Sequence, residues 1–374
     1  MPTWEYVLIY SDDLLCLAAK PKDILDQIDQ HFKLKPSSVK KPDQYLGADI
    51  GTYNLPDGTI AWYSSPDTYV KSAVENMERW LSKQQNGAFK DALKTRVAGL
   101  LPSNYKPELD TSKELPDDLI QLYQQHIGIL RWMVELGRID IATEVSMLAA
   151  HSALPREGHF GAILHLYAYL KKYNRSKMVY DPTPMDWDAH VDHDWSKFYP
   201  KDPHDVEVPG APEALGNPAQ MTCFVDSDHA GDAVSRRSRT GVMIFCNRAP
   251  IIFYTKKQGS TETSSFGSEL MAMKTAVELV EGLRYKLVMM GVPLDGRAYI
   301  KADNMSVVHN CSNPASQLKK KSNSIAYHYV RERCSNPNPV CAVTYVNTTD
   351  NLADMLTKTQ SVQVRHGLTS KVLY

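Results

Sequence analysis

The chain has 374 residues, of which 43% are hydrophobic and 23% are charged, and its formal net charge is −1 at pH 7. This length and apolar content allow two or three hydrophobic cores, and no apolar stretch is long enough to span a membrane. A charge near zero argues against a protein that is basic over its whole surface. Contacts with nucleic acid would have to come from local clusters of cations.

The cysteine pattern bears on the cellular compartment. The six cysteines form no CxxC pair, and several lie in apparent strands. Thiols in such positions are typical of reduced core residues. Residues 1–5 show no signal segment and run directly into a predicted strand. We therefore expect an intracellular protein.

The first predicted element is a β-hairpin over residues 6–17. Two short apolar stretches flank the polar sequence Ser11-Asp12-Asp13, which predicts two strands joined by a turn. The turn would present the carboxylates of Asp12 and Asp13 together at its tip. Without further context, paired aspartates at this place are explained by turn chemistry alone. Farther along, the periodicity of residues 123–172 predicts an ordinary helical core.

Residues 176–219 differ in composition from their surroundings. They are rich in Pro and Asp and have little apolar periodicity, which predicts a linker or an insertion between two halves. The segment contains the sequence His190-Val191-Asp192-His193-Asp194. No cysteine or further paired ligand lies nearby, so a structural zinc site, which needs four well-spaced ligands, is not favoured.

The second half, from residue 220, alternates strands and helices. Strands are predicted near 221–226, 241–246, 251–255, 298–302 and 340–346, with a long helix near 264–290 and a final helix after the last strand. This alternation predicts an α/β (α+β) fold, a mixed sheet flanked by helices. We expect the strands over 221–226 and 298–302 to be adjacent and parallel.

Four acidic residues occupy key places in this pattern. Asp226 and Asp303 follow predicted strands, whereas Glu269 and Asp354 lie early in predicted helical segments. A single acid in any of these places is usually solvated surface. Two strand ends and two helix starts can, however, converge on one point. Hydrolysis of a phosphodiester by two divalent ions about 4 Å apart requires such a cage of carboxylates.

The donor type suggests the metal. Carboxylate oxygens suit Mg²⁺, and Mn²⁺ accepts the same ligands. We predict two Mg²⁺ ions bridged by Asp226. Glu269 and Asp303 would complete the side of the leaving group, and Asp354 would hold the ion that presents the attacking water.

Residues 220–360 contain a series of distinctive sequence blocks, in chain order DSDHAGD, RRSRTG, TKKQGSTETSSFGSEL, KADN, IAYHYVRE and YVNTTDNLADMLTK. These blocks resemble the ribonuclease H domain of copia-type LTR retrotransposon polyproteins. The resemblance implies a ribonuclease H-type endonuclease, a hydrolase that cuts the RNA strand of RNA/DNA hybrids. It also implies that Asp226, Glu269, Asp303 and Asp354 are the metal ligands.

The same family places reverse transcriptase directly before ribonuclease H, and the start of this chain is similar to it. Tyr10-Ser11-Asp12-Asp13 resembles the polymerase Tyr-x-Asp-Asp box, and residues 45–50 resemble a primer-gripping strand. The resemblance implies the C-terminal part of a reverse transcriptase palm, a thumb or connection-like helical region, the linker or insertion, and a ribonuclease H-like domain. Their predicted bounds are 1–63, 64–175, 176–219 and 220–374.

A polymerase site needs more than these parts. Only eleven residues precede Asp12, so we expect the fingers and the first palm strands, with their metal-binding carboxylate, to be missing. DNA synthesis by this chain alone is therefore not expected, and Asp12 and Asp13 would be a remnant of the polymerase box.

Local clusters of cations give candidate contacts to nucleic acid. Five cations surround the hairpin predicted beside Asp226, namely Arg236, Arg237, Arg239, Lys256 and Lys257. We predict that they hold phosphates of the hybrid. For the run Lys319-Lys320-Lys321, a solvated charge run is an equally good explanation.

Two functional hypotheses result. The first is a nuclease within a truncated polymerase and nuclease part of a retrotransposon polyprotein, located in a cytoplasmic virus-like particle or the nucleus. Its partners would be the RNA/DNA hybrid and a full-length polymerase or other polyprotein products, with no membrane. The alternative is a catalytically inactive nucleic-acid-binding remnant of a decayed retroelement. The missing fingers favour it, as does Ser11, where copia-type elements more often carry an apolar residue.

Overall fold

The computed structural model describes residues 2–35, 37–84, 89, 93–94, 97–186, 192–199, 208–319, 321–335 and 339–374. Within these ranges the chain is a mixed α/β protein whose sheets are flanked by helices, which confirms the predicted fold class. None of the helices in these ranges is long and apolar enough to cross a membrane. His190, Val191 and Lys320, which entered the sequence-based hypotheses, lie outside the described residues.

The N-terminal hairpin forms a two-stranded sheet of its own. Strands β1 (Tyr6–Tyr10) and β2 (Asp13–Leu17) pair antiparallel, and helix α1 (Pro21–His31) follows. Ser11 adopts a positive φ of 53° in the turn, and both aspartates are exposed at the tip. Helix α1 has no buried residue. This part of the chain therefore contributes little to the hydrophobic cores.

Residues 44–180 form a second sheet with a helical layer. The strands are β3 (Gln44–Tyr45), β4 (Ala48–Asn54), β5 (Ile60–Ser65) and β6 (Met178–Tyr180), paired in this order. The helices are α2 (Asp67–Ser82), α3 (Asp117–Glu135), α4 (Ala142–Ala149) and α5 (Glu157–Lys172), with 3₁₀ turns at Pro107–Leu109 and Ile139–Ile141. Apolar positions three or four residues apart, such as Ile127, Leu130 and Met133 on α3, bury one face of each long helix in a shared core.

Strand β6 lies within the stretch 176–219 that is predicted to be a linker or an insertion. Its residues Met178, Val179 and Tyr180 pair antiparallel with β5. The Pro- and Asp-rich composition begins only after them, at Asp181-Pro182. The proposed domain boundaries themselves stay predictions.

The third sheet carries the predicted acidic residues. Its strands are β7 (Met221–Asp228), β8 (Arg239–Cys246), β9 (Ala249–Lys257), β10 (Ala298–Ala302) and β11 (Cys341–Tyr345), arranged in the order β11-β10-β7-β8-β9. Strands β7, β8 and β9 form an antiparallel meander, whereas β10 is parallel to both β7 and β11. The predicted parallel pairing of the strands that lead to Asp226 and Asp303 is thus present.

Both faces of this sheet are covered, which explains why β7 is buried almost throughout. One face packs on the helices α6 (Ser265–Met289), α7 (Met305–Ser312) and α8 (Ser324–Cys334). The other face packs on a 3₁₀ helix, Leu352–Leu356, and on α9 (Val362–Thr369). All six cysteines are free, and four of them are buried.

The helical layer and the third sheet share a polar, buried interface. Arg365 on α9 lies with Nη2 2.7 Å from Glu144 Oε1 on α4, and its Nη1 donates to Met355 O at 2.7 Å. The Thr143 hydroxyl donates to the same carbonyl oxygen at 2.7 Å. The 3₁₀ helix Leu352–Leu356 is therefore held from the side of the helical layer as well as by the sheet.

Candidate metal centre

Three carboxylates meet at one edge of the third sheet. Asp226 lies near the end of β7, Asp303 follows β10 directly, and Glu269 lies in the second turn of α6. Carboxylate oxygens of these three residues all lie within 4.8 Å of one another. Parallel pairing of β7 with β10 aligns the two strand ends, and packing of α6 on the sheet brings Glu269 beside them. The fold thus gathers acids that are far apart in sequence.

The start of α6 is fixed by local capping. Ser264 is the N-cap, and its hydroxyl oxygen accepts a hydrogen bond from the Gly267 N–H at 3.2 Å. This satisfies one of the backbone donors that a helix leaves free at its first turn. Glu269 itself accepts a hydrogen bond from the Ser227 N–H of β7, which orients its carboxylate toward the strand that carries Asp226.

The electrostatics of the cluster favour a bound cation. Burial raises the pKa of Asp226 to about 7, an effect that the Thr357 hydrogen bond opposes and the charges of Asp354 and Asp303 reinforce. Burial also raises the pKa of Glu269 to about 9, with further contributions from Asp226 and Asp303. Like charges this close disfavour ionisation of one another. A divalent cation among them would remove that repulsion, so this set of hard oxygen donors fits Mg²⁺ or Mn²⁺.

Asp354 lies beside the three acids rather than within their group. It belongs to the 3₁₀ helix Leu352–Leu356 instead of starting an α-helix as predicted, since α9 begins only at Val362. Its Oδ2 accepts from Gln360 Nε2 at 2.5 Å, and its Oδ1 is 2.6 Å from Lys358 Nζ. Its charge nevertheless reaches Asp226, whose pKa it raises. The carboxylate is therefore close to the centre but already engaged by two side chains.

The 3₁₀ helix approaches the sheet very closely. Asn351 Nδ2 donates to Val225 O at 3.0 Å, and Gly241 on β8 lies opposite Asp226 in the strand register. A Cβ on Gly241 would lie 2.7 Å from Ala353 O. Only a residue without a side chain fits there, and this contact places Asp354 near the strand that carries Asp226.

Sequence analysis missed several residues around the centre. The Thr357 hydroxyl donates to Asp226 Oδ2 at 2.7 Å, and Lys358 and Gln360 bind Asp354. Asp228, in the same DSDHAGD block as Asp226, accepts from the Arg239 N–H, and burial raises its pKa. The polar run Thr357-Lys358-Thr359-Gln360, directly after the predicted metal-ligand motif around Asp354, was the available signal.

The comparisons with known proteins identify relatives over almost the whole chain. No family model matches it. The retrovirus-related Pol polyprotein from transposon RE2 of Arabidopsis thaliana is 23% identical over 356 residues, which cover 94% of this chain and 20% of that protein. The corresponding protein from transposon RE1 is 24% identical over 370 residues, or 98% of this chain and 21% of its own length. The chain is homologous to copia-type retrotransposon Pol polyproteins. It spans about a fifth of the length of these Pol relatives.

A solved structure gives a weaker similarity. LC11-RNase H1 in complex with an RNA/DNA hybrid matches with 17% identity and a TM-score of 0.30, covering 37% of this chain and 94% of that one. A TM-score this low carries no weight of its own.

The structure separates the five cations predicted to bind nucleic acid. Arg236, Arg237 and Lys256 are exposed, and Lys257 Nζ forms an ion pair with Asp232 Oδ2 at 2.8 Å. Arg239 differs from the prediction because its side chain is buried and its Nη1 donates to Ser146 Oγ on α4 at 2.7 Å. Arg239 therefore connects the sheet to the helical layer.

The aspartates Asp12 and Asp13 occupy a different place from the acidic centre. Among the described residues, three potential metal ligands come together at Asp226, Glu269 and Asp303, and at no other position. Asp12 and Asp13 lie exposed on the N-terminal hairpin, outside that group.

Proposed function

We propose that this chain hydrolyses the RNA strand of RNA/DNA hybrids in a metal-dependent reaction. The observation that carries the proposal is the convergence of Asp226, Glu269 and Asp303 within 4.8 Å at one sheet edge. The homologous Pol polyproteins of transposons RE2 and RE1 support a protein of the retrotransposon class. The hybrid as substrate follows from that resemblance.

Asp226, Glu269 and Asp303 would hold the metal, with Asp354 as a further ligand on the side of the 3₁₀ helix. When bound, two Mg²⁺ ions would supply Lewis-acid activation of the phosphate and of an attacking water, and Mn²⁺ would serve the same purpose. The protein's own contribution is positioning. Thr357 fixes one oxygen of Asp226, and the capped start of α6 fixes Glu269.

We further propose that Asp12 and Asp13 do not form a polymerase site in this chain alone. Both aspartates belong to one two-stranded hairpin, and two-metal chemistry needs carboxylates from a further strand. Association with a full-length polymerase or other Pol products, and an intracellular location in a virus-like particle or the nucleus, belong to the same proposal.

One observation favours the alternative of an inactive, nucleic-acid-binding remnant. Both oxygens of Asp354 are already engaged, one by Gln360 and one by Lys358. An active enzyme requires that at least the exposed Lys358 ammonium gives way when metal binds. In an inactive remnant the Lys358 ammonium would stay paired with Asp354.

The deciding experiment uses an end-labelled RNA/DNA hybrid incubated with the purified full chain, with and without Mg²⁺ or Mn²⁺. The Asp303→Asn variant serves as the inactive control, because it keeps the shape of the side chain and removes its charge. Single-stranded RNA is the substrate control. We expect metal-dependent cutting of the hybrid RNA by the wild type only. A folded wild-type chain that leaves the hybrid intact with both metals would establish the remnant instead.

A further inference from the structure

A segment outside the third sheet contacts two parts of the chain that surround the acidic centre. It comprises residues 103–108, which lie between α2 and α3, and we call it the bracing segment. The Ser103 carbonyl oxygen accepts a hydrogen bond from the Thr359 hydroxyl at 3.0 Å. Thr359 directly follows the two residues that bind Asp226 and Asp354. The bracing segment therefore reaches the C-terminal side of the centre.

The bracing segment also holds the loop 229–238, which joins β7 to β8. Glu108 Oε1 accepts a hydrogen bond from the Ala233 N–H at 2.7 Å, and Lys106 Nζ donates to Gly231 O. Both side chains are only partly exposed. Two backbone groups of one loop are thus fixed by side chains that lie 125 residues earlier in the chain.

The loop 229–238 packs on the end of strand β7. It begins directly after Asp228, whose carboxylate accepts the Arg239 N–H at the other end of the loop. A Cβ on Gly231 would collide with that carboxylate, so the loop folds closely over Asp228. Because Asp228 and Asp226 lie on the same strand end, a shift of the loop would move the backbone that presents Asp226.

The same loop reaches helix α6. His229 Nδ1 lies 3.5 Å from Ser268 Oγ, and Ser268 directly precedes Glu269. The loop therefore contacts the two elements that carry Asp226 and Glu269. Its position bears on the distance between these two acids.

The bracing segment is itself fixed by a buried histidine. His159 on α5 is 2% exposed, and its Nδ1 accepts the Arg156 N–H at 3.0 Å. Since Nδ1 accepts, Nε2 carries the ring proton and donates to Pro107 O at 2.8 Å. The bracing segment is thus tied to the helical core. It provides a fixed support for the loop 229–238.

We propose that Lys106 and Glu108 are positioning residues of the metal centre. They hold the loop 229–238 against β7 and α6, and through it they keep Asp226 and Glu269 in the arrangement that binds a divalent cation. The inference rests on the proposed function, because it takes these acids to be metal ligands. It assigns part of their support to residues that precede the predicted ribonuclease H-like domain.

The test measures Mn²⁺ binding by the full chain with electron paramagnetic resonance, which detects free Mn²⁺ and requires no cleavage. The bracing variant is Lys106→Met/Glu108→Met, which removes both hydrogen bonds and leaves the net charge unchanged. The matched control is Lys171→Met/Glu78→Met, which removes the same two charges from an exposed pair of the helical layer. Thermal unfolding checks that each variant is folded at the temperature of the measurement.

We expect the bracing variant to bind Mn²⁺ about tenfold more weakly, the usual loss when a group that orients metal ligands is removed. The control should bind like the wild type. Lys106→Arg/Glu108→Gln keeps one donor and one acceptor and should also bind nearly as well as the wild type.

The single variant Lys106→Met separates geometry from charge. Removing a positive charge near the centre would by itself strengthen the binding of a cation. A positioning role predicts the opposite, a Kd for Mn²⁺ that rises severalfold.

Equal Mn²⁺ affinities for the bracing variant and the control would overturn the proposal. Stronger binding by Lys106→Met would also overturn it, as would equal losses in the Met/Met and Arg/Gln variants or a wild-type chain that binds no Mn²⁺.

Cleavage of the RNA/DNA hybrid is scored separately on the wild type. A wild type that binds Mn²⁺ but leaves the hybrid intact refutes the nuclease, and weaker Mn²⁺ binding by the bracing variant then still supports the positioning role. Cleavage together with equal Mn²⁺ affinities refutes the positioning role alone.

Discussion

The hydroxyl of Thr357 donates a hydrogen bond to Asp226 Oδ2 at 2.7 Å and lies 3.1 Å from the carbonyl oxygen of Asp354. One side chain therefore joins the central strand to the 3₁₀ helix that carries the fourth acid. We expect Thr357→Val, which keeps the shape and removes the hydroxyl, to lower the rate of hybrid cleavage about tenfold or more. Thr357→Ser should restore it. Equal rates for the Val variant and the wild type would show that Asp226 does not depend on this bond.

The acidic cluster should make the protein's stability depend on metal. Buried carboxylates with raised pKa values cost free energy when ionised, and a bound cation offsets this cost. A ligand present at 100 times its Kd stabilises the folded state by about 2.7 kcal/mol. We expect Mg²⁺ to raise the melting temperature of the wild type but not of Asp226→Asn/Asp303→Asn. In EDTA that double variant should be the more stable protein. Calorimetric scans in both buffers check both expectations.

Lys358 should compete with metal at Asp354. Its ammonium lies 2.6 Å from Asp354 Oδ1, and an ion at that oxygen must displace it. We expect Lys358→Gln to lower the Mg²⁺ concentration for half-maximal cleavage by about threefold to tenfold, because a positive charge near the cation is removed. The matched control is Lys371→Gln, whose lysine pairs with Asp350 at the same distance of 2.6 Å. An identical Mg²⁺ dependence in all three proteins would contradict this competition.

The ion pair between Glu144 and Arg365 should be important for folding. The Glu144 carboxylate is fully buried and the Arg365 side chain is nearly so. Burial raises the pKa of Glu144, although the charge of Arg365 opposes this. Removing one member of a buried pair costs about 3 to 5 kcal/mol. We expect a loss of this size in the free energy of unfolding for Glu144→Gln, measured with urea. For Glu78→Gln, which breaks the exposed pair with Lys171, the loss should be about 0 to 1 kcal/mol.

The buried His126 should lower the free energy of unfolding in mild acid. Burial lowers the pKa of His126 to about 4, and its Nδ1 lies 2.9 Å from the Tyr167 hydroxyl. The unfolded chain takes up this proton near pH 6.5, whereas the folded chain takes it up only near pH 4. Stability should therefore fall from about pH 6.5 toward pH 4, by on the order of 3 kcal/mol.

The variant His126→Asn should be less sensitive to pH over this range than the wild type. His31→Asn, at an exposed histidine on α1, is the control and should behave like the wild type. Urea unfolding at several pH values makes the comparison. Parallel stability profiles for the wild type and His126→Asn would exclude His126 as the cause.

Much of the third sheet was predictable because the hydrophobic pattern of each segment agrees with its place in the fold. Apolar runs ended at Asp226 and Asp303, and the helix before residue 290 had buried positions at regular spacing. What could not be predicted depends on contacts between distant segments. Arg239 was assigned to phosphates, but the docking of α4 buries it. Only the folded chain shows that the polar Thr357 and Gln360 are buried.

The other differences between the predictions and the structure also arise from contacts between distant segments. The 3₁₀ helix at Asp354 is set by its close approach to Gly241 rather than by local propensity. Strand β6 contains only three residues and forms because β5 offers an open edge.

The interface between α4 and the C-terminal segment has a consequence for the order of events during synthesis. The strands that place Asp226 and Asp303 are complete once residue 345 has left the ribosome. Asp354 acquires its place only when the following residues pack and Arg365 reaches Glu144. A nascent chain would hold a finished sheet with an incomplete group of acids, and the proposed metal centre would be complete only after α9 has docked.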